Sequence, residues 1–94
     1  MAIAAARDLP QLGLADALEL TILVARKDPR RHPRVAARWL LRFLEEHPHL
    51  TIEEAALAAS SLAALTGSSH EEAAAALRAM AERASSRRRE QGAA

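Results

Sequence analysis

The sequence predicts an all-α protein, a compact four-helix bundle with short loops and flexible termini. Ala, Leu, Arg and Glu dominate it, and all are good helix formers. The aromatic and β-branched residues that sheets favour are sparse, with one Trp, one Phe and no Tyr. Two helix starts carry their own cap chemistry, Thr51-x-x-Glu54 and Ser69-x-x-Glu72. A chain of 94 residues fits one domain.

Residues 1–11 read as a lead-in, flexible or a short helix, punctuated by Pro10 and followed by Gly13. Residues 12–86 form the helical bundle domain, and 87–94 a flexible basic tail. The first long helix runs from about Leu14 to Lys27. Leu14, Ala17, Leu18, Leu20, Thr21, Ile22, Val24 and Ala25 share one broad face of it. Asp16, Glu19, Arg26 and Lys27 share the other. Leu23 falls in the middle of that polar face, as an ordinary exposed leucine or as the mark of a contact surface.

Asp28 then Pro29 reads as a cap followed by a first-turn proline. Pro33 interrupts any continuous helix. A turn or one short helical turn therefore precedes a second long helix, which starts near Pro33 and ends at about His47, before Pro48. Its apolar positions are Val35, Ala36, Ala37, Trp39, Leu40, Leu41, Phe43 and Leu44, and they sweep about 240° of the wheel. So wide an arc implies packing on more than one side. The helix is then the central one of the bundle, or it faces a second subunit. Trp39 and Phe43, four residues apart, read as core rather than as a base-stacking pair.

Thr51 opens the third helix, which continues through Ala55, Leu57, Ala58, Leu62 and Leu65. Gly67 suits the left-handed residue just past its end. Ser69 opens the fourth helix, which presents Ala73, Ala76, Leu77, Met80 and Ala84 on one face and frays in "SSRRREQGAA". Small alanine side chains let these last two helices approach closely.

Composition excludes several function classes. There is no Cys, so no disulfide, thiolate nucleophile or Cys-based zinc site exists. No run approaches the ~18 apolar residues of a membrane span. The opening "MAIAAARDLP" is too short before Arg7 and Asp8 for a signal peptide. These features fit a cytoplasmic protein. The Glu pairs are adjacent in sequence, so their side chains diverge on a helix and are not poised as an acid/base couple. Without a paired nucleophile and base or a phosphate-cradling loop, the chain reads as no enzyme, and no cofactor is called for. His47-Pro48-His49 lacks metal-helix spacing and reads as a helix C-terminus. His32 and His70 read as turn and first-turn residues. The third and fourth helices have a helix-turn-helix outline, but Glu71 and Glu72 would meet a polyanion with the wrong sign.

Charge is organised in blocks. Residues 26–42 carry seven positive charges against Asp28, and residues 45–82 carry seven negative charges against Arg78. Residues 83–90 swing back to basic. Arg30, Arg34, Arg38 and Arg42 recur every four residues. Like charges at this spacing cost about 0.2–0.5 kcal/mol per pair on an exposed helix. Arg42 can meet Glu46. The acidic helix starts at Glu53, Glu54, Glu71 and Glu72 are expected to neutralise the rest, with a partner's acidic surface or nucleic-acid phosphate as the other takers.

The run from Asp16 to Leu65 resembles a helical segment of uncharacterised proteins from high-GC Gram-positive (actinobacterial) bacteria. The similar elements are the "KDP" turn, the "ARWLLRF" helix and the "L-T-x-x-E-A" restart, over about half the chain. Pro33 departs from the unbroken helix of that pattern. The resemblance implies a bacterial, cytosolic origin and carries no activity or site residues.

The expected function is a non-enzymatic protein–protein interaction or assembly module, with self-association as a homodimer its simplest form. Leu23, Arg34, Arg38, Leu41 and Arg42 are its candidate partner-binding residues. The alternative is a small nucleic-acid-binding regulatory protein that uses Arg30, Arg31, Arg34, Arg38, Arg87, Arg88 and Arg89.

Overall fold

A computed structural model describes residues 12–93. The lead-in expected over residues 1–11 lies outside the described residues. Four helices follow one another: α1 (Leu14–Lys27), α2 (His32–Glu46), α3 (Ile52–Ala64) and α4 (His70–Ala93). No strand occurs among the described residues, and the protein is an all-α four-helix bundle. α1 packs on α2 and α4, and α3 packs on the same two helices, which closes a ring.

α1 buries a narrower stripe than its apolar face offers: Leu14, Leu18, Thr21 and Ala25. The Thr21 hydroxyl donates to the Ala17 carbonyl at 2.9 Å, which lets a polar residue sit in the core. The helix ends at Asp28, whose N–H donates to the Val24 carbonyl. Asp28 therefore caps α1 through its backbone and is not the side-chain cap of the next helix. Its carbonyl then accepts the Arg31 N–H at 3.0 Å, forming the expected turn. α2 begins at His32 with Pro33 in its first turn, where a missing N–H breaks no helical bond.

α2 turns His32, Ala36, Trp39 and Phe43 inward, and His47 continues the stripe just past its end. Phe43 is 0% exposed. Its ring stacks on Trp39 at 4.9 Å, and the Trp39 Nε1–H donates to the Leu14 carbonyl at 3.0 Å. The wide apolar arc is not enclosed by the bundle. Leu40 is half-buried, while Ala37, Leu41 and Leu44 are exposed, so α2 is not a central helix.

The Thr51 capping box forms in full. The Thr51 hydroxyl accepts the Glu54 N–H at 3.0 Å, and the Glu54 carboxylate accepts the Thr51 N–H at 2.9 Å. The other two helix-end expectations are corrected. No glycine among the described residues takes a positive φ, so Gly67 is not a left-handed cap. α3 instead tightens at its end, with Leu65 N–H to the Leu62 carbonyl and Gly67 N–H to the Ala64 carbonyl. Such i→i−3 bonds satisfy orphan carbonyls without a left-handed residue. At the start of α4 the Ser69 carbonyl accepts the Ala73 N–H. No side-chain bond joins Ser69 to Glu72 among the described residues; at an exposed helix start water serves the first N–H groups.

α4 does not stop at Ser85–Ser86, where fraying was expected, but continues as helix to Ala93. Ala84 is buried there, and Arg87 reaches back to Glu54 at 3.2 Å. Ala73, Ala74, Leu77, Met80, Ala81 and Ala84 are its buried residues.

Truncating the Phe43 ring should cost far more than losing a cap. Phe43→Ala is expected to destabilise by about 3–5 kcal/mol, and Thr51→Ala by about 1 kcal/mol. Urea midpoints of the two variants check the ratio; equal losses would mean that the aromatic stripe does not carry the core.

Candidate partner-binding face

The inward stripe of α2 fixes what points outward. Residues two positions from a stripe residue lie on the opposite side of the helix, because each residue turns ~100°. Arg34, Ala37, Arg38, Leu41, Leu44 and Glu45 are all exposed there, with Leu41 at 58%. Arg34, Arg38 and Leu41 thus share one face, as the spacing predicts. Arg42 does not join them. It turns to the flank of α2, where its guanidinium donates to Glu46 at 2.6 Å and to the Leu12 carbonyl. Leu23 is exposed on the outward side of α1, a different helix.

Beside this face, an apolar groove of about 410 Å³ lies between α2 and α3. Pro33, Ala37 and Leu40 line one wall; Ala59, Leu62 and Ala63 line the other. Ile52 lies on the same side of α3 as Ala59 and Ala63, at i, i+7 and i+11, and is 87% exposed. His32 also lines the groove. Its Nε2–H donates to the Leu62 carbonyl at 2.7 Å and ties α2 to α3, while Nδ1 is buried without a partner.

The arginines divide sharply. Arg78 makes a two-pronged contact with Glu19 at 2.6 and 2.7 Å. That bond holds the Glu19 carboxyl below its ordinary range and raises the Arg78 guanidinium. The Thr51 N–H, followed by the charge of Arg87, lowers Glu54. Arg88 lies 4.0 Å from Glu46. No carboxylate among the described residues pairs with Arg30, Arg31, Arg34 or Arg38. The expectation that the acidic helix starts neutralise the ladder is therefore corrected. Glu54 is held in its own capping box and by the basic C-terminal segment, and Glu46 is taken by Arg42.

The seven arginines of the nucleic-acid alternative are not brought together. Arg30, Arg31 and Arg34 lie at the start of α2. Arg87 and Arg88 lie against Glu54 and Glu46 at its far end, ~22 Å away along a helix of this length. Arg89 donates to Ser86. Glu45 and Glu46 stand between the two groups.

The histidines diverge as well. His47 is buried, with its ring edge-on to Phe43 at 5.5 Å, whereas His49 is exposed. Among the described residues no three His, Asp or Glu side chains converge as a metal site needs.

Compared with known protein families, curated proteins and solved structures, the chain matches none. The α3 wall of the groove was missed by the sequence reading. Its signal was present: Ile52, Ala59 and Ala63 share a face. Read from sequence, the same alanines point to close packing against α4.

Burial lowers the pKa of His47, with Glu46 opposing and Arg88 and Arg87 assisting. The unfolded chain then binds a proton that the folded chain resists. Stability is complete above the ordinary histidine range and falls as pH drops through about 6.5. The urea midpoint of the wild type should decrease between about pH 7.5 and pH 5.5, and His47→Leu should flatten that slope. An unchanged slope in the variant would assign it to another group.

Proposed function

We propose that this protein is a non-enzymatic assembly module that binds another protein chain, its own copy included, through the outer face of α2 and the adjoining α2–α3 groove. The observation that carries this reading is the exposure of Leu41 at the centre of a face bordered by two arginines with no carboxylate partner among the described residues. Leu44, Ile52 and the groove extend it into an apolar surface with a basic edge, the layout of an interface core and rim. No described helix is long and apolar enough to cross a membrane. The lack of cysteine suits work in the cytoplasm.

A second reading keeps one observation of its own. Arg30, Arg31, Arg34 and Arg38 are exposed and present a basic edge that phosphates could follow. It gains nothing from the C-terminal arginines at the other end of α2.

Light-scattering mass over a concentration series tests the first reading. Wild type should exceed monomer mass as concentration rises, and Leu41→Glu should remain monomeric with unchanged helix content. Equal masses at every concentration would remove self-assembly through this face. Fluorescence anisotropy of labelled duplex DNA tests the second. Binding that weakens steeply with salt and is lost in Arg34→Glu/Arg38→Glu would replace the first reading with it.

A further inference from the structure

The outer face of α2 has a direction. From its start it reads Arg34, Ala37, Arg38, then Leu41 and Leu44, then Glu45. Positive charge occupies one end, leucines the middle and negative charge the other end. All six residues are exposed. Arg34, Arg38 and Glu45 make no ion pair among the described residues. Positions 34, 37, 41 and 44 are spaced as an a/d seam, with Arg38 and Glu45 both at the flanking e position.

A second observation concerns the helix itself. α2 has no acidic residue in its first turn and no basic residue in its last. Arg34 lies near its N-terminus and Glu45 and Glu46 near its C-terminus. Its charges oppose the preference set by the helix dipole. α1 has the ordinary arrangement, with Asp16 first and Arg26 and Lys27 last.

We propose that a second copy of this chain docks on the outer face of α2, antiparallel to it about a two-fold axis beside Leu41, with Arg38 of each copy against Glu45 of the other. This rests on the assembly reading and names its partner and register. In the antiparallel arrangement Arg38, three residues before Leu41, comes level with residues 44–45 of the second copy. The Leu41 side chains of both copies meet at the axis. The parallel arrangement sets Arg34 against Arg34 and Glu45 against Glu45, and like charges across an interface are disfavoured. Six exposed residues are fewer than the roughly 20–30 a side of a standard interface. The contact therefore extends over Ile52 and the α2–α3 groove.

Charge exchange tests the register. Sedimentation equilibrium is measured for wild type, Arg38→Glu, Glu45→Arg and the double variant Arg38→Glu/Glu45→Arg, with circular dichroism confirming equal helix content. Each single change places like charges opposite one another twice per dimer and should raise the dissociation constant about tenfold. The double variant restores two opposite-charge pairs and should return to the wild-type value. Single variants that dimerise like wild type overturn the register. If Leu41→Glu still abolishes the dimer in that case, the face stands and only its orientation is wrong. A wild type that stays monomeric throughout overturns the second copy as occupant and leaves a different protein as the partner of the face.

Discussion

The structure depends on how α2 is rotated about its own axis. In a chain that is about one-quarter alanine, one Trp and one Phe supply much of the volume a core needs. Both lie on α2, stacked at 4.9 Å, and both are buried. Two hydrogen bonds lock this orientation from different sides, Trp39 to the Leu14 carbonyl and His32 to the Leu62 carbonyl. They join α2 to α1 at its middle and to α3 at its N-terminus. Turning the helix by one residue would pull Trp39 out of the core and leave a carbonyl without its donor. With Trp39 and Phe43 inward, Arg34, Arg38 and Leu41 have nowhere to go but outward.

Charge follows the same geometry. The acidic block was the obvious counterweight to the arginine ladder, yet two of its members, Glu46 and Glu54, are engaged elsewhere, and none of the others pairs with the ladder among the described residues. Glu54 completes a capping box and meets Arg87, while Glu46 takes Arg42 and lies near Arg88. Glu19 of α1 holds Arg78 of α4. Each of these is a surface pair and individually weak. Their combined effect is spatial: the carboxylates are used at the C-terminal end of α2 and on the α1–α4 side. The N-terminal half of α2 keeps its positive charge.

Much of the fold was legible because its signals are local. Helical composition, Thr51-x-x-Glu54 and the apolar spacing of α1 need only a few neighbouring residues to be read. The end of α3 was not, because Gly67 permits a left-handed cap without requiring one, and i→i−3 bonds closed the helix instead. The extent of α4 was missed because Arg87 gains a partner, Glu54, 33 residues away. His32 was read as a turn residue for the same reason. Only the position of Leu62, across the α2–α3 contact, makes its imidazole a buried tie. Of the candidate face, the arginine spacing and Leu41 were visible in sequence. The width of the apolar arc was visible too, but not whether the bundle would cover it. That depended on α2 lying at the side of the ring with its groove toward α3 open.

A solitary exposed leucine is ordinary, so Leu41 alone would mean little. The charge order around it adds weight. Arg near a helix N-terminus and Glu near a C-terminus each oppose the dipole by about 0.3–1 kcal/mol at an exposed site. Arg34 and Arg38 repel one another as well. A monomer accepts these small penalties along with the hydration of Leu41, Leu44 and Ile52. An antiparallel neighbour relieves them together. It lays a negative helix end beside the positive one, opposes the two dipoles and withdraws the leucines from water. An acidic helix from another protein could balance the arginines, but it would leave Glu45 facing like charge. A second copy of α2 answers both ends of the face with one two-fold operation, because its own sequence carries the complement of each end.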